Sequence, residues 1–285
     1  MRVPRKPIAL VVLLALAGTL AVVLVVRSFD GGITLPQIGP ECTVRADGEV
    51  TLDAVQMANA ATITAVGVRR QLPERAVVIA LATALQESKL ENLEHGDRDS
   101  IGLFQQRPSQ GWGSAGKIKD PRYAADKFYT ALLKVKGWKN LRITQAAQRV
   151  QRSAYPNAYE KWADESAVLA KALTGRATGA VACTVTGDPV LRGAAAAAAL
   201  VQGLRLDWGK GLDRTAEQAA GLTVSVNDPS AGWRYAHWLV SHSRDTGLER
   251  VRFADLEWRA PTGEWQAVTG DAAANQGQVV AQVFP

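Results

Sequence analysis

Residues 73–113 read PERAVVIALATALQESKLENLEHGDRDSIGLFQQRPSQGWG. Pro73 and Glu74 open a helix, since a proline is tolerated at a helix start and an acid suits the first turn. The run from Val77 to Leu85 is almost wholly apolar, and the helix is predicted to end near Glu87. A carboxylate at the end of such a helix loses water on one side, which disfavours its charged form. That lets it hold a proton near neutral pH, as a general acid for glycoside cleavage must. The bland alternative is an exposed helix-end glutamate, the usual situation of that residue. Beyond Glu87 comes a polar loop, with Gly96-Asp97 and Asp99-Ser100 as turn formers, and then Gly102-Leu103-Phe104-Gln105-Gln106.

Working outward, residues 42–174 read as one helix-rich block. Thr51 is placed to cap a helix with Val55, Ala58, Thr62 and Val66 on one face. Asp120-Pro121 is an N-cap followed by a proline, and the helix it starts shows Ala124, Phe128, Ala131, Leu132 and Val135 at helical spacing. A later helix carries Tyr159, Trp162, Ala163, Ser166, Leu169 and Leu173, with Gly175 as its stop. Residues 175–188 are small and polar, a linker. Residues 189–285 differ: an alanine-rich helix from Leu191 to Leu206, a strand at Leu222–Val226, a helix from Gly232 to Thr246, and strands at Arg250–Arg259 and around Trp265. This is read as a small α+β accessory domain.

At the other end, Ile8 to Val26 contains nineteen uncharged residues, roughly 28 Å as a helix, which matches the hydrocarbon thickness of a bilayer. Arg2, Arg5 and Lys6 precede it, while Arg27 and Asp30 follow and nearly cancel. That asymmetry places the N-terminus in the cytoplasm and the body outside. Residues 1–27 are thus expected to be a cytoplasmic tip and single transmembrane anchor, and 28–41, rich in Gly and Pro, a linker. A cleaved secretory signal is the alternative, and it too exports the body.

The 285 residues carry a net charge of +6 and are 47% hydrophobic and 21% charged. Such a chain can build a packed core and suits an anionic partner. No Lys/Arg run is long enough for a nucleic-acid arm, so nucleic acid is not expected as a partner. The two cysteines, Cys42 and Cys183, are too far apart for a metal knuckle. In an exported chain they form a disulfide candidate.

The two-part pattern Glu87-Ser88 and Gly102-Leu103-Phe104-Gln105-Gln106, with Gly102 fifteen positions after the glutamate, resembles the catalytic signature of soluble lytic transglycosylases and goose-type lysozymes. The resemblance covers roughly residues 50–174. It implies a mainly α lysozyme-like domain over 42–174, joined to the small α+β C-terminal domain behind the single transmembrane helix. It also implies cleavage of the β-1,4 bond between N-acetylmuramic acid and N-acetylglucosamine. Glu87 would act as acid and then base, and Ser88 and the 102–106 turn would hold the sugar. The substrate's acetamido group can stabilise the cationic centre, so neither a second carboxylate nor a metal or organic cofactor is required.

A third element common in that family, Ala-Tyr-Asn-Ala-Gly, is missing. The corresponding stretch is Ala146-Ala147-Gln148-Arg149-Val150-Gln151. Gln148 and Gln151 are the candidates to replace its hydrogen bonds, with Tyr159 as the later tyrosine. The departure bears on the product, a 1,6-anhydro end or a reducing end. Asp97 and Asp99 are candidates for positioning water, or are simply turn residues. Trp112 is the tryptophan best placed to stack on a sugar. Trp162, Trp208, Trp233, Trp238 and Trp258 are expected in the core. His237 and His242, five apart, do not share a helix face as a zinc pair would, and no metal site is expected.

The expected partners are peptidoglycan glycan strands and the cell membrane, with the accessory domain as a wall- or partner-binding module. The rival from another class is a non-catalytic wall-binding or scaffold protein whose lysozyme-like fold has lost activity.

Overall fold

From Glu41 to Asp53, apolar and polar residues alternate: Cys42, Val44, Val50 and Leu52 are buried, while Glu41, Arg45, Glu49, Thr51 and Asp53 are exposed. A period of two is the pattern of a half-buried strand. The computed structural model, which describes residues 41–153, 157–209, 215–218, 220–269 and 277–285, forms two strands here. β1 (Glu41–Arg45) and β2 (Glu49–Asp53) pair antiparallel with Cys42 opposite Leu52. A third strand, β3 (Val181–Cys183), adds to the other edge of β1 with Cys42 opposite Cys183. The two cysteines are joined by a disulfide that closes a sequence separation of 141 residues.

Helix α1 (Ala54–Arg69) follows β2 directly. Its N-cap is Asp53, whose carboxylate accepts from the Val55 and Gln56 amides at 2.8 Å each, while the Gln56 side chain accepts from the Asp53 amide at 2.9 Å. This reciprocal box satisfies amides that have no partner within the helix. Thr51, the expected cap, lies in β2 instead, and Val55 is 44% exposed. The buried face runs through Met57, Ala60, Ala61 and Ile63.

Helix α2 (Glu74–Ser88) starts directly after Pro73, which is extended and makes no side-chain cap bond, and is buried on almost every side from Ala76 to Leu85. An all-apolar helix has no face to give to water, so other helices must surround it. It packs against α1, α5 (Ile143–Gln151) and α6 (Ala163–Leu173). Between α2 and α5 come a short helix α3 (Ala115–Ile118) and α4 (Pro121–Leu133), whose N-cap Asp120 accepts from the Arg122 amide.

Beyond β3, α7 (Gly193–Trp208), α8 (Pro229–Ser241) and the short α9 (Ser243–Thr246) accompany a six-stranded antiparallel sheet. Its strands are β4 (Thr215–Gln218), β5 (Gly221–Ser225), β6 (Leu248–Phe253), β7 (Leu256–Arg259), β8 (Glu264–Ala267) and β9 (Gln278–Val283). They lie in the order β4-β5-β9-β6-β7-β8. The alternating stretch 250–259 is two strands, separated at Ala254, which has φ 53°. Tight turning at a left-handed residue lets the pattern continue on the returning strand.

The expectation of a mainly α block with sheet confined to the C-terminal part is therefore corrected. The chain is mixed α and β, with two antiparallel sheets, and one of them belongs to the block read as helical. The stretch 175–188, expected as a linker, supplies β3. Gly39–Pro285 forms one compact unit, in which α1 packs on α7 and α8. The anchor expected at residues 8–26 lies outside the described residues. Among the described residues, no helix is long and apolar enough to cross a membrane.

Candidate active site

Glu87 occupies the last turn of α2 and is half-buried. One of its carboxylate oxygens, Oε1, accepts a hydrogen bond from the Tyr159 hydroxyl at 2.6 Å. Tyr159 is fully buried just ahead of α6 and the single turn Glu160–Trp162. Its burial first, and then the charge and hydrogen bond of Glu87, push the phenol well above its ordinary range. Tyr159 thus remains a hydroxyl donor at any physiological pH. The Ser153 side chain also bonds to it. Among the described residues, no hydrogen bond or ion pair engages the second oxygen, Oε2, of Glu87.

The chain leaves α2 by an unusual route. Lys89 and Leu90 are both left-handed, with φ 56° and 63°. Two successive non-glycine residues in that region cost about 2 kcal/mol. Both are held from α1: Gln56 Nε2 donates to the Lys89 carbonyl at 2.9 Å and Asn59 Nδ2 to the Leu90 carbonyl at 2.8 Å. Neither Gln56 nor Asn59 was singled out in the sequence. The available signal was a buried-helix stretch, MANAATITAV, interrupted by one amide side chain.

The 102–106 turn is docked onto this helix end. Ser88 Oγ donates to the Leu103 carbonyl at 2.8 Å, and Gln151 Nε2, at the end of α5, donates to the Phe104 carbonyl at 2.7 Å. Gly102, with φ 76°, bonds through its amide to the Leu93 carbonyl at 2.8 Å. An added Cβ there would stand 3.0 Å from the Ile118 carbonyl oxygen. Ile101 and Gln106 form a small antiparallel bridge that closes the turn. Leu103 and Phe104 are fully buried, Phe104 stacked on Phe128 with centroids 4.7 Å apart. Gln106 is buried too, its amide donating to the Ala124 carbonyl. These three side chains anchor the turn in the core. Gln105 is left half-buried at φ 46°, its amide nitrogen on the Gly102 carbonyl at 3.1 Å. Gly96 passes so close that a Cβ on it would collide with the Gln105 amide oxygen.

The structure therefore brings Glu87, Ser88, the 102–106 turn, Gln151 and Tyr159 together. Gln148 donates through its amide to the Ser153 carbonyl at 2.7 Å. The two aspartates lie in the loop between the motif's halves. Asp99 is clasped by Arg107 Nε at 2.6 Å, the Ser109 amide at 2.8 Å and the Ser109 hydroxyl at 3.0 Å. These bonds, that from Arg107 foremost, hold its carboxyl well below the usual carboxylate range. Asp97 projects into solvent beside Arg98, 3.8 Å away.

His237 bonds to the Ala172 carbonyl and the Ala180 amide, and His242 to the Trp238 carbonyl. Trp112 is half-buried, and its carbonyl accepts from the Tyr123 hydroxyl at 3.1 Å. Of the five tryptophans expected in the core, Trp208, Trp233, Trp238 and Trp258 are buried. Trp162 is half-buried beside the site, with Lys89 Nζ 3.8 Å above its ring. No protein-family model and no curated protein matches this chain.

Proposed function

We propose that this chain is a peptidoglycan-cleaving glycosidase acting on the β-1,4 bond between N-acetylmuramic acid and N-acetylglucosamine, with Glu87 as general acid and base. The observation that carries the reading is the 2.6 Å hydrogen bond from Tyr159 to Glu87. Seventy-two positions separate the two residues, and both are marked by the sequence resemblance. The bond fixes the carboxyl group at a half-exposed helix end and leaves one oxygen for the substrate.

In the proposed reaction, Glu87 gives its proton from Oε2 to the glycosidic oxygen, and the bond to the anomeric carbon breaks. The Tyr159 hydroxyl stabilises the carboxylate left behind, because a hydrogen bond to a charged acceptor is stronger than one to a neutral acceptor. Asp99 is saturated by Arg107 and Ser109, which favours the route that needs no second protein carboxylate. In that route the neighbouring acetamido oxygen closes on the anomeric carbon. Glu87 then takes a proton back from water or from the sugar's own 6-hydroxyl as that oxygen bonds to the anomeric carbon and displaces the acetamido oxygen, which completes hydrolysis or transglycosylation. Gln105 and Gln151 are half-exposed, and with their amide nitrogens on the Gly102 and Phe104 carbonyls they have their amide oxygens to offer a sugar hydroxyl.

The location proposed with this activity is the outer face of the cytoplasmic membrane. It is supported by the charge pattern around residues 8–26 and by the Cys42–Cys183 disulfide, which suits an oxidising compartment. The test is the release of soluble fragments from purified sacculi by the full chain and by Glu87→Gln. The reading requires release by the wild type and its loss, by about 100-fold or more, in the variant. Equal release by both would remove Glu87 from the chemistry. Fragment masses lighter by one water than reducing-end products would identify transglycosylation.

A further inference from the structure

A cleft of about 800 Å³ opens beside the turn of the candidate site. Four cations line it: Lys127 from α4, Lys134 at the end of α4, and Arg149 and Arg152 at the end of α5, with Trp112 on the wall. No acidic residue is among the described residues that line it. Asp126, next in sequence to Lys127, is paired with Arg70 at 2.9 Å. Among the described residues, no carboxylate lies within ion-pair distance of any of the four. Like charges gathered in one concavity repel each other and raise the local potential, an arrangement that an anionic ligand stabilises. Helix-end preference for cations accounts for single residues here, but not for a concavity with no acid in it.

The cleft is joined to the candidate site by Gln151. That residue lines the cleft and also donates to the Phe104 carbonyl in the docked turn. A ligand in the cleft is therefore a neighbour of whatever lies against the turn. We propose that the cleft binds the carboxylate-bearing lactyl-peptide substituents of the same glycan strand that is cleaved at Glu87. The enzyme then distinguishes peptide-bearing strands from denuded ones. This inference rests on the glycosidase reading above. Guanidinium and ammonium groups suit carboxylates, and the indole of Trp112 offers an apolar face to the peptide between them. The shared wall at Gln151 favours a substituent of the bound strand over a separate phosphate-bearing polymer.

The experiment uses the full-length chain. Cleavage and, in the Glu87→Gln background, binding are measured for soluble peptide-bearing strands and for strands stripped of peptide by an amidase. Both are repeated with Lys127→Gln, Arg149→Gln and Arg152→Gln combined. Expected is a preference of about tenfold for peptide-bearing strands at low salt, lost in the triple variant and at about 0.5 M salt. Binding and cleavage of denuded strands remain unchanged in that variant. Equal use of both strands by the wild type, or a preference that survives the triple substitution, overturns the inference while leaving Glu87's role intact. Tight binding of a polyphosphate that is lost in the triple variant, without any peptide preference, also overturns it. Unimpaired cleavage by Glu87→Gln is the separate result that removes the glycosidase reading itself.

Discussion

His237 is a buried neutral histidine, and it makes the protein's stability depend on pH in a calculable way. Its ring is fully enclosed in α8, with Nδ1 2.8 Å from the Ala172 carbonyl at the end of α6 and Nε2 accepting from the Ala180 amide at 2.9 Å. The second bond requires an unprotonated Nε2. Loss of water on burial pushes the imidazole down from 6.5 to about 4, against a smaller opposing effect of the Ala172 carbonyl. Between those values the unfolded chain binds a proton that the native state does not. Stability therefore rises with pH across that window. The contribution is whole above about 6.5, is lost as pH falls towards about 4, and does not change further once both states are protonated. At 1.36 kcal/mol per pH unit, the loss over the window is about 3 kcal/mol. His242, whose pKa is also lowered chiefly by burial, adds in the same direction. The perturbation is His237→Gln, whose neutral amide can both donate and accept. It is expected to lose about 1 kcal/mol near pH 7.5 from imperfect hydrogen bonds. Urea unfolding near pH 7.5 and near pH 4.5, followed by tryptophan fluorescence, measures both proteins; Trp233 lies 5.4 Å from the His237 ring and reports on this region. The wild type should lose about 2 kcal/mol more than the variant on acidification. Equal losses would refute the reasoning.

Three further outcomes are expected. Tyr159→Phe removes the hydrogen bond at Glu87, a bond to a charged group of about 2 kcal/mol, so kcat for muropeptide release should fall about 30-fold with little change in KM. Asp207→Ala leaves Arg122, Thr62 and Trp238 facing an empty site in the interior. A loss of about 3 kcal/mol in denaturant unfolding at neutral pH is expected, with a destabilised but folded protein. Cys42→Ser with Cys183→Ser opens a closed loop of 141 residues, and an upper figure of about 5 kcal/mol follows from chain entropy. Thermal unfolding with and without reductant should show the same loss in the wild type only.

How far the sequence could be read depended on how local the determining contacts are. The starts of α2 and α4 follow from Pro73-Glu74 and Asp120-Pro121 because the signals that open a helix act within one turn. The pairing of Cys42 with Cys183 was accessible because only two cysteines exist. The first sheet was not read. Its strands span five, five and three residues, and β3 pairs with β1 across nearly half the chain. The alternation in ECTVR and EVTLD was present, but a helix-rich neighbourhood masks so short a period. Asp207 shows the same limit at the level of a side chain. By spacing it belongs to no cluster, yet it is fully buried and gathers Arg122 Nε at 2.5 Å, Thr62 at 2.8 Å and Trp238 at 2.7 Å from three other helices. Glu257 likewise draws Arg252 and Arg259 from neighbouring strand positions. Periodicity reports which face is buried, not which foreign group will meet a buried charge.

The candidate site combines both kinds of determinant, and this bears on how Glu87 is held. The helix end and the turn are local features, visible as an apolar run that stops and a glycine that follows. What fixes them to each other is non-local: Ser88 and Gln151 on two successive carbonyls of the turn, and Gln56 and Asn59 on the two left-handed residues after the helix. Each of these donors satisfies a backbone carbonyl that helix and turn geometry leave without a partner, so each would cost about 1–3 kcal/mol to remove. An exposed surface glutamate would have no need of this scaffold. Four side chains from three helices restrain the peptide groups around one half-exposed carboxyl, and a buried phenol then selects its rotamer. Such restraint is the condition for a general acid that must meet a leaving oxygen within hydrogen-bond reach, and it is why the Tyr159 bond, more than the motif itself, supports an active enzyme over a degenerate scaffold.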